Sequence, residues 1–274
     1  MRKNILIALD LEGVNNVVGE PYSGLKVGSE AWEVARRQAA FEINEAADAL
    51  FGAGARRVAV WDNHAGGPNL DPADVDTRVE LLAPDRSLGR MYFAGEFDCV
   101  LFFGYHAMEG TLGGVLAHTM NSTMVQFYKL NGRYIGEVDM DAYIAASHGV
   151  PSCLFVGGDI ACAQAARAVP GILTVVTKHE LSRNEAVFRD NAELAVEIRA
   201  RAVEALRADV PLTRLRLPAT MEKSFKRTED AARWLDRITS FGITASHPCE
   251  EILGKDAHTV ASKIYTIDDF IACI

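Results

Sequence analysis

Long apolar runs are missing from this sequence. No stretch approaches the ~18 to 20 consecutive apolar residues of a membrane-spanning helix. The short run "ILIAL" meets Asp10 and Glu12 at once, too early for the apolar region of a secretory signal. Cysteine is scarce, with five in 274 residues and none in a C-x-x-C pair. That usage disfavours a thiolate-zinc or redox site and suits reduced thiols in a cytoplasmic protein. Positive charge is also short, with 28 Lys and Arg against 37 Asp and Glu and a net charge of −9. No general cationic field exists, so nucleic acid and anionic membrane are excluded as expected partners. Several catalytic devices are absent too. No G-x-G-x-x-G follows the first apolar run and no G-x-x-x-x-G-K-[ST] occurs, so nucleotide binding by those loops is unsupported. There is no G-x-S-x-G elbow and no H-E-x-x-H helix.

What is present is an alternation of strand-like and helix-like segments. "NILIALD" is short and aliphatic, as a buried strand should be. Ser29 can cap a helix in which Trp32, Ala35, Ala39, Ile43, Ala46 and Leu50 recur at helical spacing. "RRVAVWD" and "FDCVLFFGYH" read as further strands, the second apolar throughout like a central sheet strand. Asn131-Gly132 sits between two alternating runs, which is a strong hairpin signal. Its return arm, "RYIGEVD", carries Glu137. Helix, strand, helix and strand follow over residues 140–178, then a long helix over 184–207. The expected architecture is α/β: a largely parallel central sheet flanked by helices, with an inserted hairpin. A catalytic domain over residues 1–210 and a smaller C-terminal α+β lobe over 211–274 are expected, because Pro211 interrupts the pattern.

Sites in such sheets form beyond the carboxyl ends of the strands. Asp10 and Glu12 end the first strand, Asp62 and His64 the second, and His106 follows "VLFFGY". Asp159 and Lys178 end later strands. Residues i and i+2 of an extended segment point to one side, so Asp10 and Glu12 would repel unless a proton or cation lay between them. Each residue alone also has a bland reading, a solvated loop acid or a structural histidine. Together they gather two carboxylates and two imidazoles on one predicted edge, and Glu137 joins if the hairpin folds over it. Carboxylate with imidazole and no cysteine suits zinc, manganese or cobalt, and three carboxylates roughly balance two divalent cations.

Six ordered blocks then resemble the DppA-type D-aminopeptidases, a family of zinc-dependent peptidases. They are "LDLEGV", "VWDNHAGG", "LFFGYHAM", "LAHTM", "NGRYIGEVDMDAY" and "VVTKHELSRNEA". The resemblance implies that Asp10, Glu12, His64, His106 and Glu137 ligate two Zn2+ per chain, with Mn2+ or Co2+ as alternatives. It implies that His118 is the catalytic base or nucleophile. It also implies short peptide substrates with an N-terminal D-amino acid, such as D-Ala dipeptides, and a homo-oligomeric ring of ten subunits. Lys178, and with it Arg183, is a candidate for holding a substrate carboxylate or stabilising an oxyanion. The chain departs from the family pattern at Leu9, at Asn63 in place of Ser, and at Asp141 in place of Asn. The same donors would also serve an amidase or phosphoesterase, or persist in a ring-forming peptide-binding protein without catalysis.

Overall fold

Unbroken aliphatic stretches set the central strands. In the computed structural model, which describes residues 1–22, 24–250 and 254–274, β1 spans Asn4–Leu9. The Ser29 side chain accepts from the Trp32 N–H and starts α1, Glu30–Gly52. β2 (Arg57–Asp62), β3 (Glu80–Leu82) and β4 (Cys99–Tyr105) follow. β5 (Val125–Leu130) and β6 (Arg133–Tyr134) flank the Asn131-Gly132 turn, where both residues have positive φ. Then come α2 (Glu137–Ser147), β7 (Ser152–Gly157), α3 (Asp159–Ala168) and β8 (Leu173–Val176). β9 (Lys178–Ser182), β10 (Glu185–Phe188) and α4 (Asn191–Ala205) precede the C-terminal part. That part holds β11 (Ala219–Phe225), α5 (Thr228–Ser240), β12 (Ala245–Ser246), β13 (Cys249–Glu250), β14 (Gly254–Lys255), β15 (Thr259–Ile264) and α6 (Ile267–Cys273).

The main sheet runs β3-β2-β1-β4-β7-β8, and every pairing in it is parallel. All of β4 is buried, so both faces of the sheet are covered. α1 packs on α4, and α2 on α3. A second, antiparallel sheet runs β12-β15-β11-β5-β6. The hairpin β5–β6 is therefore inserted along the chain but pairs with β11. The second sheet takes strands from both sides of residue 210.

Two segments differ from their sequence reading. β6 is short and α2 begins at Glu137, because Asp139 accepts from the Gly136 N–H at 2.9 Å and closes the first turn. The helix expected from residue 184 begins only at Asn191. Asp190 caps it, accepting from Ala192 and Glu193 N–H, while residues before it pair as the β9–β10 hairpin.

α1 also reaches the loop after β1. Buried Glu42 accepts from the Asn15 N–H at 2.8 Å and the Gln38 amide at 3.0 Å. Burial pushes its carboxyl up to about 7 against these hydrogen bonds and the charge of Lys178. The folded protein thus holds a proton that the unfolded chain, near the ordinary 4.5, releases. This contribution is present at low pH and is lost as pH rises through about 7, amounting to about 3 kcal/mol for a shift of this size. Urea unfolding between pH 5 and 8.5 should show wild type losing that stability relative to Glu42→Gln. Parallel profiles for the two proteins would mean that Glu42 folds ionised.

Candidate metal centre

The chain order along the main sheet reverses at β1, which lies between β2 and β4. A crevice opens beyond the carboxyl ends of strands at such a point. Asp10 and Glu12 leave β1 there, His64 begins a 3₁₀ turn after β2, and His106 follows β4. The loop after β1 lies directly on the end of β4. Asp10 N–H donates to Phe103 O at 2.8 Å, and Gly13 N–H to Gly104 O at 2.6 Å. A Cβ at Gly104 would stand 1.9 Å from Asp10 O, and one at Gly13 2.0 Å from Tyr105 O. Glycine at both positions is the condition for this approach. Glu137 reaches the same crevice as the first residue of α2, where the positive end of the helix favours a carboxylate.

Five side chains converge, all of them buried: Asp10, Glu12, His64, His106 and Glu137. His64 Nδ1 lies 2.9 Å from Asp10 Oδ1 and 3.1 Å from Glu12 Oε2. His106 Nε2 lies 3.4 Å from Asp10 Oδ2 and 3.5 Å from Glu137 Oε1. Two overlapping donor groups result, Asp10–Glu12–His64 and Asp10–His106–Glu137. Nδ1 of His106 is 3.0 Å from Ala107 O, which places its proton there and leaves Nε2 for the cluster. Neither His64 Nε2 nor His106 Nε2 has a hydrogen-bond partner among the described residues. Burial lowers the proton affinity of both rings, but the carboxylates outweigh it: Glu12 and Asp10 push His64 up to about 11, and Asp10, Glu12 and Glu137 push His106 up to about 10. Burial opposes ionisation of Asp10, yet His106 and His64 hold it well below the usual carboxylate range. The site demands positive charge, and its oxygen and imidazole donors fit a zinc-like divalent cation.

A D-aminopeptidase family model matches residues 3–243. The chain belongs to the D-aminopeptidase family. A D-aminopeptidase of Bacillus subtilis strain 168 is 28% identical over 182 residues, covering 66% of this chain and 65% of that protein. The chain thus matches just under two thirds of that relative's length. The fold is similar to that of a solved structure described as the Zn-dependent D-aminopeptidase DppA from Bacillus subtilis, a self-compartmentalizing protease. The TM-score is 0.83 at 22% identity, over 98% of this chain and 94% of that one.

The remaining candidates of the family pattern fall differently. His118 stacks on His106 with ring centroids 4.0 Å apart, and its Nε2 is 4.0 Å from Glu137 Oε1. It also lies close enough to Glu12 and His106 to join a donor group with them. Glu180 accepts from Val115 N–H at 2.7 Å and so anchors the loop that delivers it. Lys178 does not face the crevice, which corrects its expected substrate-binding role. Its fully buried Nζ donates to the carbonyls of Glu12, Val14 and Val17 at 2.6, 2.9 and 2.5 Å. That cage holds the Glu12 loop in place. Asp62 does not touch the His64 ring; it accepts from the N–H groups of Asn69 and Leu70 and closes the turn.

Arg90 was not foreseen. It donates to Asn63 Oδ1 at 3.0 Å and grips Asp141 twice, at 2.5 and 2.8 Å, while Tyr105 OH donates to the same carboxylate at 2.6 Å. Asn63 precedes His64, and Asp141 lies one turn after Glu137. Two departures from the family pattern therefore meet on one guanidinium. The added charge at Asp141 was the available signal, since a buried carboxylate needs a cation.

Metal uptake should displace protons from His64 and His106, because these imidazoles must be deprotonated to ligate. Calorimetric zinc titration of the stripped protein in buffers of different ionisation heat should give about two protons released per chain, with affinity falling as pH drops. No proton release would show that carboxylate and imidazole do not share charge in this way. Arg90→Lys keeps the charge but loses the fork, and should weaken zinc binding by ~10- to 100-fold. Unchanged affinity would leave Arg90 without influence on the centre.

Proposed function

We propose that this chain is a metallo-aminopeptidase that hydrolyses short peptides with an N-terminal D-amino acid, D-Ala dipeptides among them, and holds two Zn2+ per chain. The observation that carries the reading is the shared position of Asp10, with Oδ1 2.9 Å from His64 and Oδ2 3.4 Å from His106. One carboxylate thus belongs to both donor groups and would be in reach of two ions. Glu12 and His64 would complete one set of ligands, and His106 and Glu137 the other. Bound zinc supplies Lewis acidity, turning water into a nucleophile near neutral pH and polarising a carbonyl oxygen.

His118 supplies the proton traffic. Its Nδ1 is 2.9 Å from Leu116 O, which holds that proton and leaves the Nε2 lone pair on the cluster side. Nε2 takes the proton of the attacking water and returns it to the leaving amine. Asp10, Glu12, His64, His118 and Glu137 line one cavity of about 660 Å³, a size suited to a small ligand. The preference for a D-residue, the ten-subunit ring and the cytoplasmic location rest on the family resemblance and on cysteine usage. No helix among the described residues is long and apolar enough to cross a membrane.

Metal analysis should find about two zinc ions per chain. The zinc-loaded enzyme should release alanine from D-Ala-D-Ala at least ~10-fold more efficiently than from its L counterpart, and should leave a phosphate monoester intact. His118→Ala should lower kcat by ~10²- to 10⁴-fold with zinc content retained. Unchanged turnover would remove His118 from catalysis, and loss of zinc would make it a ligand instead.

A further inference from the structure

The geometry points to Arg183 as the residue that reads the free C-terminal carboxylate of the substrate, which makes the substrates short peptide acids rather than peptide amides or internal segments. This rests on the peptidase reading above and names its substrate class. Two arginines line the cavity, Arg90 and Arg183. The Arg90 fork is occupied by Asp141. Arg183 forms no ion pair among the described residues, and the one hydrogen bond its side chain makes there runs from Nη1 to Ala117 O at 2.7 Å. A guanidinium carries several further N–H donors in a plane that matches a carboxylate.

Its placement is tied to the proposed base. Leu116 N–H donates to Arg183 O at 2.9 Å, so both backbone and side chain of Arg183 are bound to the two residues before His118. The guanidinium is therefore held on the His118 side of the cavity. The other charges lining this space are the carboxylates of Asp10, Glu12 and Glu137. These three belong to the metal centre, so the substrate's own carboxylate is the counter-charge that Arg183 lacks, with the peptide N-terminus lying toward the centre. Seating both ends in one cavity also limits length, without any further wall.

The test compares D-Ala-D-Ala with its C-terminal amide, using the zinc-loaded full chain. Wild type should favour the acid by ~10- to 100-fold in kcat/KM, carried mainly by KM, as expected for a charge-assisted contact made before the chemical step. Arg183→Gln retains an N–H donor for Ala117 O. It should lower kcat/KM for the acid by the same factor and leave the amide within about two-fold, and Arg183→Lys should recover part of the loss. Calorimetric binding of both peptides to the zinc-loaded His118→Ala variant should give the same preference without turnover. Equal handling of acid and amide by wild type would overturn the assignment. So would an equal loss on both in Arg183→Gln, which would reveal a purely structural role beside His118. Turnover of neither peptide by wild type would remove the peptidase reading itself, and this refinement with it.

Discussion

Three buried carboxylates around two imidazoles set the terms for the rest of this molecule. Asp10, Glu12 and Glu137 are held out of water within reach of His64 and His106. Such a group survives in a folded protein only if positive charge is supplied locally. The raised proton affinity of both imidazoles is the expression of that demand. A divalent cation would answer it better than protons, because one ion can draw on several oxygen and imidazole lone pairs at once.

The surrounding structure can be understood as what keeps these groups in place. Gly13 and Gly104 let the loop after β1 lie on the end of β4, so Asp10 stands between the two histidines. Lys178 binds three carbonyls of the same loop, and Glu42 holds it from α1. Arg90 joins Asn63 beside His64 to Asp141 on α2, the helix that Glu137 opens. Glu180 and Arg183, both from the β9–β10 segment, fasten the chain just before His118. Fixing the donors from several elements preorganises the centre, so less order must be imposed when a ligand arrives.

Much of this was legible in the order of residues. The aliphatic strands, the Ser29 cap and the Asn131-Gly132 turn follow from short-range rules, and each stands in the structure close to where the pattern put it. The acids and histidines at strand ends were visible because a parallel sheet sends its strand ends to one edge. Lys178 was misjudged because a lysine at a strand end has the same local signature whether it faces substrate or a ring of carbonyls. The start of α4 was misplaced because the residues before Asp190 suit a helix in isolation, and only pairing between Lys178–Ser182 and Glu185–Phe188 draws them into a hairpin.

By itself the sequence determined the alternation of strands and helices, the shortage of cationic surface and the acid–imidazole chemistry. These depend on side-chain type and spacing of a few residues, which the chain carries directly. Tertiary structure alone decided that the β5–β6 hairpin would leave the main sheet and join β11 through β5. It also decided that Arg90 would be gripped by Asp141 while Arg183 stayed without an ion pair among the described residues. Those outcomes turn on which distant groups meet, and long-range pairing and burial settle that rather than local preference.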